Sequence, residues 1–154
     1  MAVFLLGTQC LLDIAKHDGN KAQQWYEGLQ KQGLHFGDVR ISAFSVALIR
    51  FLFDSKPPST PNERQLQINV NLLIERFKNA GAVVGCTAEA VYYWADNLGD
   101  AVQYDQPPPA REIGAEALVI ATVAVSQHPS LQYTLVDRGQ ALHQALSIPV
   151  YDPY

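Results

Sequence analysis

The chain has 154 residues, 48% hydrophobic and 17% charged, and its 11 Lys plus Arg against 15 Asp plus Glu give a formal net charge of -4. That is the length of one domain, and a domain of this size buries roughly 68–70% of the surface its unfolded chain exposes, enough for a core without disulfide or metal staples. The composition excludes a disordered chain, a collagen-like repeat and a broadly basic nucleic-acid binder, so any nucleic-acid contact would need a local basic patch.

Ala2 to Leu6 (AVFLL) is a short continuous apolar run, as in a strand buried on both faces of a parallel sheet. Leu11, Leu12, Ile14 and Ala15 follow at helical spacing and stop at the turn cluster Asp18-Gly19-Asn20. Asn20 is placed to cap a second helix through about Gln32, with Ala22, Trp25, Tyr26 and Leu29 on one stripe. Val39 to Ser42 reads as strand two and Val46 to Phe53 as a third, strongly apolar helix. The proline-rich stretch from Lys56 to Asn62 is a loop, with Asn62 as N-cap of a helix carrying Leu66, Val70, Leu73, Ile74 and Phe77 and ending at Ala80-Gly81. Ala82 to Cys86 is strand three. Thr87 caps a helix with Ala90, Val91, Trp94 and Leu98 that stops at Gly99. Asp105 to Ala110 (DQPPPA) is neither helix nor central strand, because proline lacks a donor and fixes φ. Ala115 to Val125 is an apolar helix, Leu131 to Val136 strand four, Gln140 to Leu146 a short helix, and Ile148 to Tyr151 a closing strand. Strands alternating with helices predict an α/β fold, a three-layer α/β/α arrangement around a mostly parallel sheet of about five strands. Residues 1–154 read as one domain without internal repeats.

Cys10 and Cys86 are too few for a disulfide framework, and each sits in an apolar run that reads as a buried free thiol. Leu5 to Cys10 fails as a lipoprotein cleavage site: no basic region precedes it, Gln9 is not small, and Asp13 and Lys16 follow at once. No apolar run approaches the roughly 18 residues of a membrane span. A soluble, cytoplasmic protein is expected.

In open α/β sheets, ligands bind beyond the carboxyl ends of the strands. Here those ends are Gly7-Thr8-Gln9, Ser42 to Ser45, Gly85-Cys86-Thr87 and Asp137-Arg138-Gly139. None carries a dinucleotide, Walker or nucleophile-elbow motif. His17, His35, His128 and His143 lack zinc-ligand spacing and read as surface or loop-edge residues. Trp94 beside Tyr92 and Tyr93 has the makings of a base-stacking platform, but its helical spacing with Val91 and Leu98 favours core or dimer packing. The basic residues are scattered, a weak footprint for nucleic acid.

The order of the segments resembles a known family. Phe4-Leu5-Leu6-Gly7-Thr8-Gln9-Cys10-Leu11-Leu12-Asp13, Ile41-Ser42-Ala43-Phe44-Ser45-Val46-Ala47-Leu48-Ile49-Arg50 and the helix Glu116 to Ala124 are three of its blocks. Thr134-Leu135-Val136-Asp137-Arg138-Gly139 and Ile148-Pro149-Val150-Tyr151-Asp152-Pro153 complete them. In series they resemble the PIN domains of the VapC-type toxin ribonucleases across essentially the whole chain. The resemblance implies a small nuclease whose converging carboxylates hold Mg²⁺ or Mn²⁺, the hard cation that phosphodiester hydrolysis uses to polarise the phosphoryl oxygen and activate water. It also implies dimers and neutralisation by an antitoxin.

The family's acids do not carry over. Its first Asp aligns with Gly7, the following Asn with Gln9, the helix Glu with Leu48, the third Asp with Ala117 and the fourth acidic position with Gly139. The hydroxyls at Thr8 and Ser42 persist. Glu116 is one helix position, about 100°, from Ala117. Asp137 lies two places before the fourth acidic position on the same strand, and Asp13 lies on the first helix. Each of these three reads first as a solvated carboxylate.

The first reading is therefore a pseudoenzyme: a PIN-like binding protein with no catalytic residues and no cofactor, stable without divalent metal. Its partner would be a second copy in a homodimer, an antitoxin-like protein or, with less support, RNA. The apolar helix Val46 to Phe53 is the expected partner-facing surface unless the fourth helix covers it. The alternative is an active Mg²⁺- or Mn²⁺-dependent ribonuclease with relocated carboxylates Glu116, Asp137 and Asp13. A third reading is a small-molecule cleft lined by Thr8, Gln9, Ser42 and Ser45.

Overall fold

The computed structural model describes residues 2–33, 38–98, 113–127, 129–139, 144 and 146–154. Five parallel strands run in the order β3-β2-β1-β4-β5. They are β1 Ala2–Leu6, β2 Val39–Ser42, β3 Val83–Val84, β4 Gln132–Val136 and β5 Val150–Tyr151. Strand β1 is central, with Ala2 to Leu6 opposite Gln132 to Val136 on one edge and Phe4 to Leu6 opposite Val39 to Ile41 on the other. A strand paired on both edges and covered on both faces has no place for a polar side chain, which is why AVFLL is apolar throughout.

Alternation along the strands divides the core into two layers. Leu6, Val39, Ile41 and Val136 face one side, where they pack with Cys10, Leu11, Ile14, Val70, Ile74 and Phe77. Val3, Leu5, Tyr133 and Leu135 face the other and pack with Val119, Ile120 and Val123. The first layer is built by α1 Thr8–Lys16, α2 Lys21–Lys31 and α4 Pro61–Asn79, and the second chiefly by α6 Ile113–Val125. Helix α3, Ala43–Ser55, touches both α1 and α6. Helix α5, Ala88–Tyr93, runs into a π turn over Trp94–Leu98. The three-layer α/β/α expectation therefore holds.

Several boundaries differ from the sequence reading, each for a local reason. Helix α3 starts at Ala43 rather than Val46 because Ser42, the last strand residue, caps it by accepting from the Phe44 N–H at 3.1 Å. The α4 cap is Thr60, not Asn62. Its hydroxyl accepts from the Glu63 N–H at 3.1 Å while the Glu63 carboxylate accepts from the Thr60 N–H at 3.2 Å, a capping box with Pro61 in the first turn. Strand β3 shrinks to Val83–Val84 at the sheet edge, which leaves Cys86 exposed rather than buried; Cys10 is the buried thiol. Beyond Tyr93 the fifth helix widens into the π turn instead of continuing as α-helix to Leu98. Trp94 packs against the small Ala90–Ala121 cluster, as its spacing indicates. His17 is exposed, whereas His35, His128, His143 and the 105–110 proline segment lie outside the described residues, as does most of 140–146.

Helix α4 leaves part of α3 uncovered. Ser45 and Ile49 are buried, but Phe51 is 65% and Leu52 47% exposed, and α4 itself exposes Ile68 and Leu72.

Candidate functional site at the strand ends

The carboxyl ends of β1 and β4 lie side by side, with the Gly7 N–H donating to the Val136 carbonyl at 2.9 Å. This pairing brings Asp137 against Gly7. A Cβ at Gly7 would stand 2.8 Å from Asp137 Oδ2 and 2.9 Å from its Cγ. The carboxylate of Asp137 thus fills the space into which a side chain at position 7 would grow. It also sits at the N-terminal end of α1, where the helix dipole favours an anion. Its Oδ1 accepts from the Arg138 N–H at 2.7 Å. A second carboxylate stands near the second glycine of the aligned set: Asp152 Oδ2 accepts from the Gly139 N–H at 3.0 Å.

Asp13 belongs to the same neighbourhood. It lies on the inward side of α1, one turn after Cys10, and it is buried together with Asp137, contrary to the expectation that both are solvated. Its Oδ1 accepts from Lys16 Nζ at 2.6 Å and from Gln9 Nε2 at 3.0 Å, and its Oδ2 from the Tyr154 hydroxyl at 2.7 Å. Burial works to raise the Asp13 pKa, but the bonds from Lys16, Tyr154 and Gln9 outweigh it and hold the carboxyl below its ordinary value. Cys10, fully buried, has its thiol pushed up to about 12, first by burial and then by the charges of Asp137 and Asp13. The Tyr154 hydroxyl is likewise raised by burial, by its bond to Asp13 and by nearby negative charge.

The remaining candidates have structural partners. Thr8 donates to Ser45 at 3.0 Å, with both residues buried, and Ser42 is occupied as the α3 cap. Gln9 is exposed and holds Asp13. Leu48 is half-buried on α3. The side chains of Glu116 and Ala117 lie outside the described residues. Sequence reasoning missed Tyr154, Asp152 and the way Lys16 engages Asp13. No periodicity signals the first of these, because the Tyr154–Asp13 bond joins residues 141 positions apart.

Among the described residues, Asp13 and Asp137 do not by themselves make up the ligand set of the cation that the resemblance implies. Mg²⁺ and Mn²⁺ need several oxygen ligands free to turn toward one point. Here Asp13 is spent on Lys16, Gln9 and Tyr154, and one Asp137 oxygen is spent on a backbone N–H. Among the described residues no group of three or more His, Cys, Asp or Glu side chains is arranged to hold a metal ion.

Among the described residues no helix is long and apolar enough to cross a membrane. No protein-family model matches the sequence, and no curated protein matches it significantly. Solved structures do. FitAcB from Neisseria gonorrhoeae superposes with a TM-score of 0.64 at 20% identity, covering 98% of each chain. VapBC from Salmonella typhimurium, solved bound to DNA, gives 0.66 at 14% identity over 100% of each chain. VapBC2 from Rickettsia felis, bound to a DNA fragment from its promoter, gives 0.65 at 13% identity over 99% of this chain and 98% of that one. The chain therefore has the fold that its sequence blocks imply, the VapC-type PIN fold.

Proposed function

We propose that this chain is a VapC-type fold that has lost the family's metal chemistry and serves as a protein-binding module. The observation that carries the reading is at the end of β1. Gly7 stands where the resemblance places the first acid, and the carboxylate that fills its space, Asp137, is held by a backbone N–H. The other aligned acid positions are Leu48, Ala117 and Gly139. The exposed Phe51 and Leu52 on α3 supply apolar anchors of the kind protein interfaces bury, and the net charge of -4 disfavours RNA as the ligand. A second copy of the chain or an antitoxin-like protein is the proposed partner.

The relocated ribonuclease built from Glu116, Asp137 and Asp13 makes the opposite forecast, and one experiment separates the two. The protein is melted with and without millimolar Mg²⁺ or Mn²⁺ and incubated with structured RNA under the same conditions. The binding-module reading expects an unchanged Tm and intact RNA. A native-state metal ligand at a hundred times its Kd would add about 2.7 kcal/mol, roughly 5–10 °C for a domain of this size. A shift of that size, or RNA cleavage abolished by Asp137→Asn, overturns the proposal.

A further inference from the structure

We propose that residues 152–154 form a strap that closes over the strand-end face and controls access to Cys10, Asp13 and Asp137. After β5 the chain turns back across the ends of β1 and β4 and is tied down on three elements. Asp152 Oδ2 accepts from the Gly139 N–H at 3.0 Å, anchoring the strap to the segment after β4, and Asp152 Oδ1 accepts from the Tyr154 N–H at 2.8 Å, setting its turn. The Tyr154 hydroxyl donates to Asp13 on α1, and Lys21 at the start of α2 donates to the Tyr154 backbone oxygen. The Arg138 guanidinium lies 4.4 Å from the centre of the Tyr154 ring, sandwiching it against the core side chains.

These ties differ in kind from those of the sheet beneath. The strap follows a two-residue strand that pairs with β4 at the sheet's edge, so it can lift without disturbing the β1–β2 or β1–β4 ladders. Its holds are single hydrogen bonds, one cation–π contact and the packing of the Tyr154 ring on the first core layer, and Asp152 is exposed. What it covers is unusual for a surface segment: a fully buried thiol and two buried carboxylates close enough to bear on that thiol electrostatically. In the closed state the Tyr154 hydroxyl takes up Asp13 Oδ2 and also reaches the Cys10 thiol. In the open state Asp13 regains a free oxygen and Cys10 meets solvent. The strap is an intramolecular occupant of the strand-end face, which any ligand approaching that face must displace. The strap covers this face whether or not the face performs chemistry.

Cys10 supplies the readout. With Cys86→Ser, Cys10 is the single thiol of the chain, and its alkylation by N-ethylmaleimide under native conditions, followed by mass spectrometry, reports strap opening. Tyr154→Ala and Asp152→Ala are each expected to accelerate labelling of Cys10 at least about tenfold. A parallel pair carries Val70→Cys with both native cysteines changed to Ser. Val70 is fully buried on α4, makes none of the strap's bonds, and reports global opening. Its labelling is expected to keep the same rate with and without the strap change. Unchanged Cys10 labelling in both strap variants overturns the proposal, and so does equal acceleration at positions 10 and 70. Should Tyr154→Ala fail to fold, Asp152→Ala decides alone, because that side chain lies on the surface.

Discussion

Gly7 is a residue whose smallness, not its flexibility, is used. Its φ of -64° and ψ of 157° are open to any amino acid. What excludes a side chain is the Asp137 carboxylate, 2.8 Å from the place of a Cβ, with its own Oδ1 tied to the Arg138 N–H. Gly7→Ala forces that carboxylate to turn and is expected to cost about 1–3 kcal/mol, the usual range for overpacking a tight site. In an Asp137→Ala background most of the cost should vanish, and a double-mutant cycle by urea denaturation reads the coupling. An equal cost in both backgrounds would assign the loss to the helix terminus instead. The sequence identifies Gly7 as neutral where an acid is implied and places Asp137 at another strand end. That the two touch is a fact of the β1–β4 pairing, and sequence spacing contains no measure of it. The burial of Asp13 was hidden for a similar reason: its partner Tyr154 lies in another part of the chain.

Among the secondary-structure elements, α4 has the best-defined start. Thr60, Pro61 and Glu63 act together, and the backbone N–H groups of Ser59 and then Thr60 hold the Glu63 carboxyl below its ordinary value. Thr60→Ala is expected to lower stability by about 1 kcal/mol, within the 0.5–2 kcal/mol seen for lost caps. Asn62→Ala, an exposed position one residue into the helix, should stay within about 0.5 kcal/mol. Chemical denaturation midpoints compare the two, and a larger effect at Asn62 would contradict the assignment. The signature Thr-x-x-Glu is present in the sequence, so this boundary was legible in principle. Asn62 competes because asparagine is also a strong capping residue, and only the reciprocal bond to Glu63 separates them. Long periodic helices such as α4 were readable for the same reason that they are stable: one apolar stripe, Val70, Leu73, Ile74 and Phe77, enters the first core layer, where α4 packs on α1. The π turn at Trp94 and the brevity of β3 answer to neighbours rather than to local pattern, and propensity carries no trace of them.

For the molecule as a whole, the strand-end charges set how stability responds to pH. Asp13 titrates below its ordinary 3.8 in the folded state, so its contribution is present above that value and is lost as pH falls through the lower folded one. Cys10 moves oppositely. Its folded pKa of about 12 lies above the ordinary 9.0, so stability is intact below 9.0 and declines as pH rises toward about 12, because the unfolded thiol releases its proton first. Urea midpoints measured across pH are expected to fall at both limits, and Cys10→Ala should flatten the alkaline limb. An alkaline limb of undiminished slope in that variant would count against burial as its cause. The overall architecture was the most legible level, because five strand-and-helix blocks in order leave few right-handed ways to assemble a parallel sheet. That same order has a consequence for biosynthesis. The central strand is made before both of its neighbours, has β2 within reach soon afterwards, and waits much longer for β4, since Ala2 pairs with Gln132. Until the ribosome has released β4, one edge of the most apolar strand stays open, with Val3 and Leu5 lacking their final cover. The nascent chain is therefore exposed to mispairing until β4 emerges, and the second layer of the core can close only after the residues through Val136 have been made.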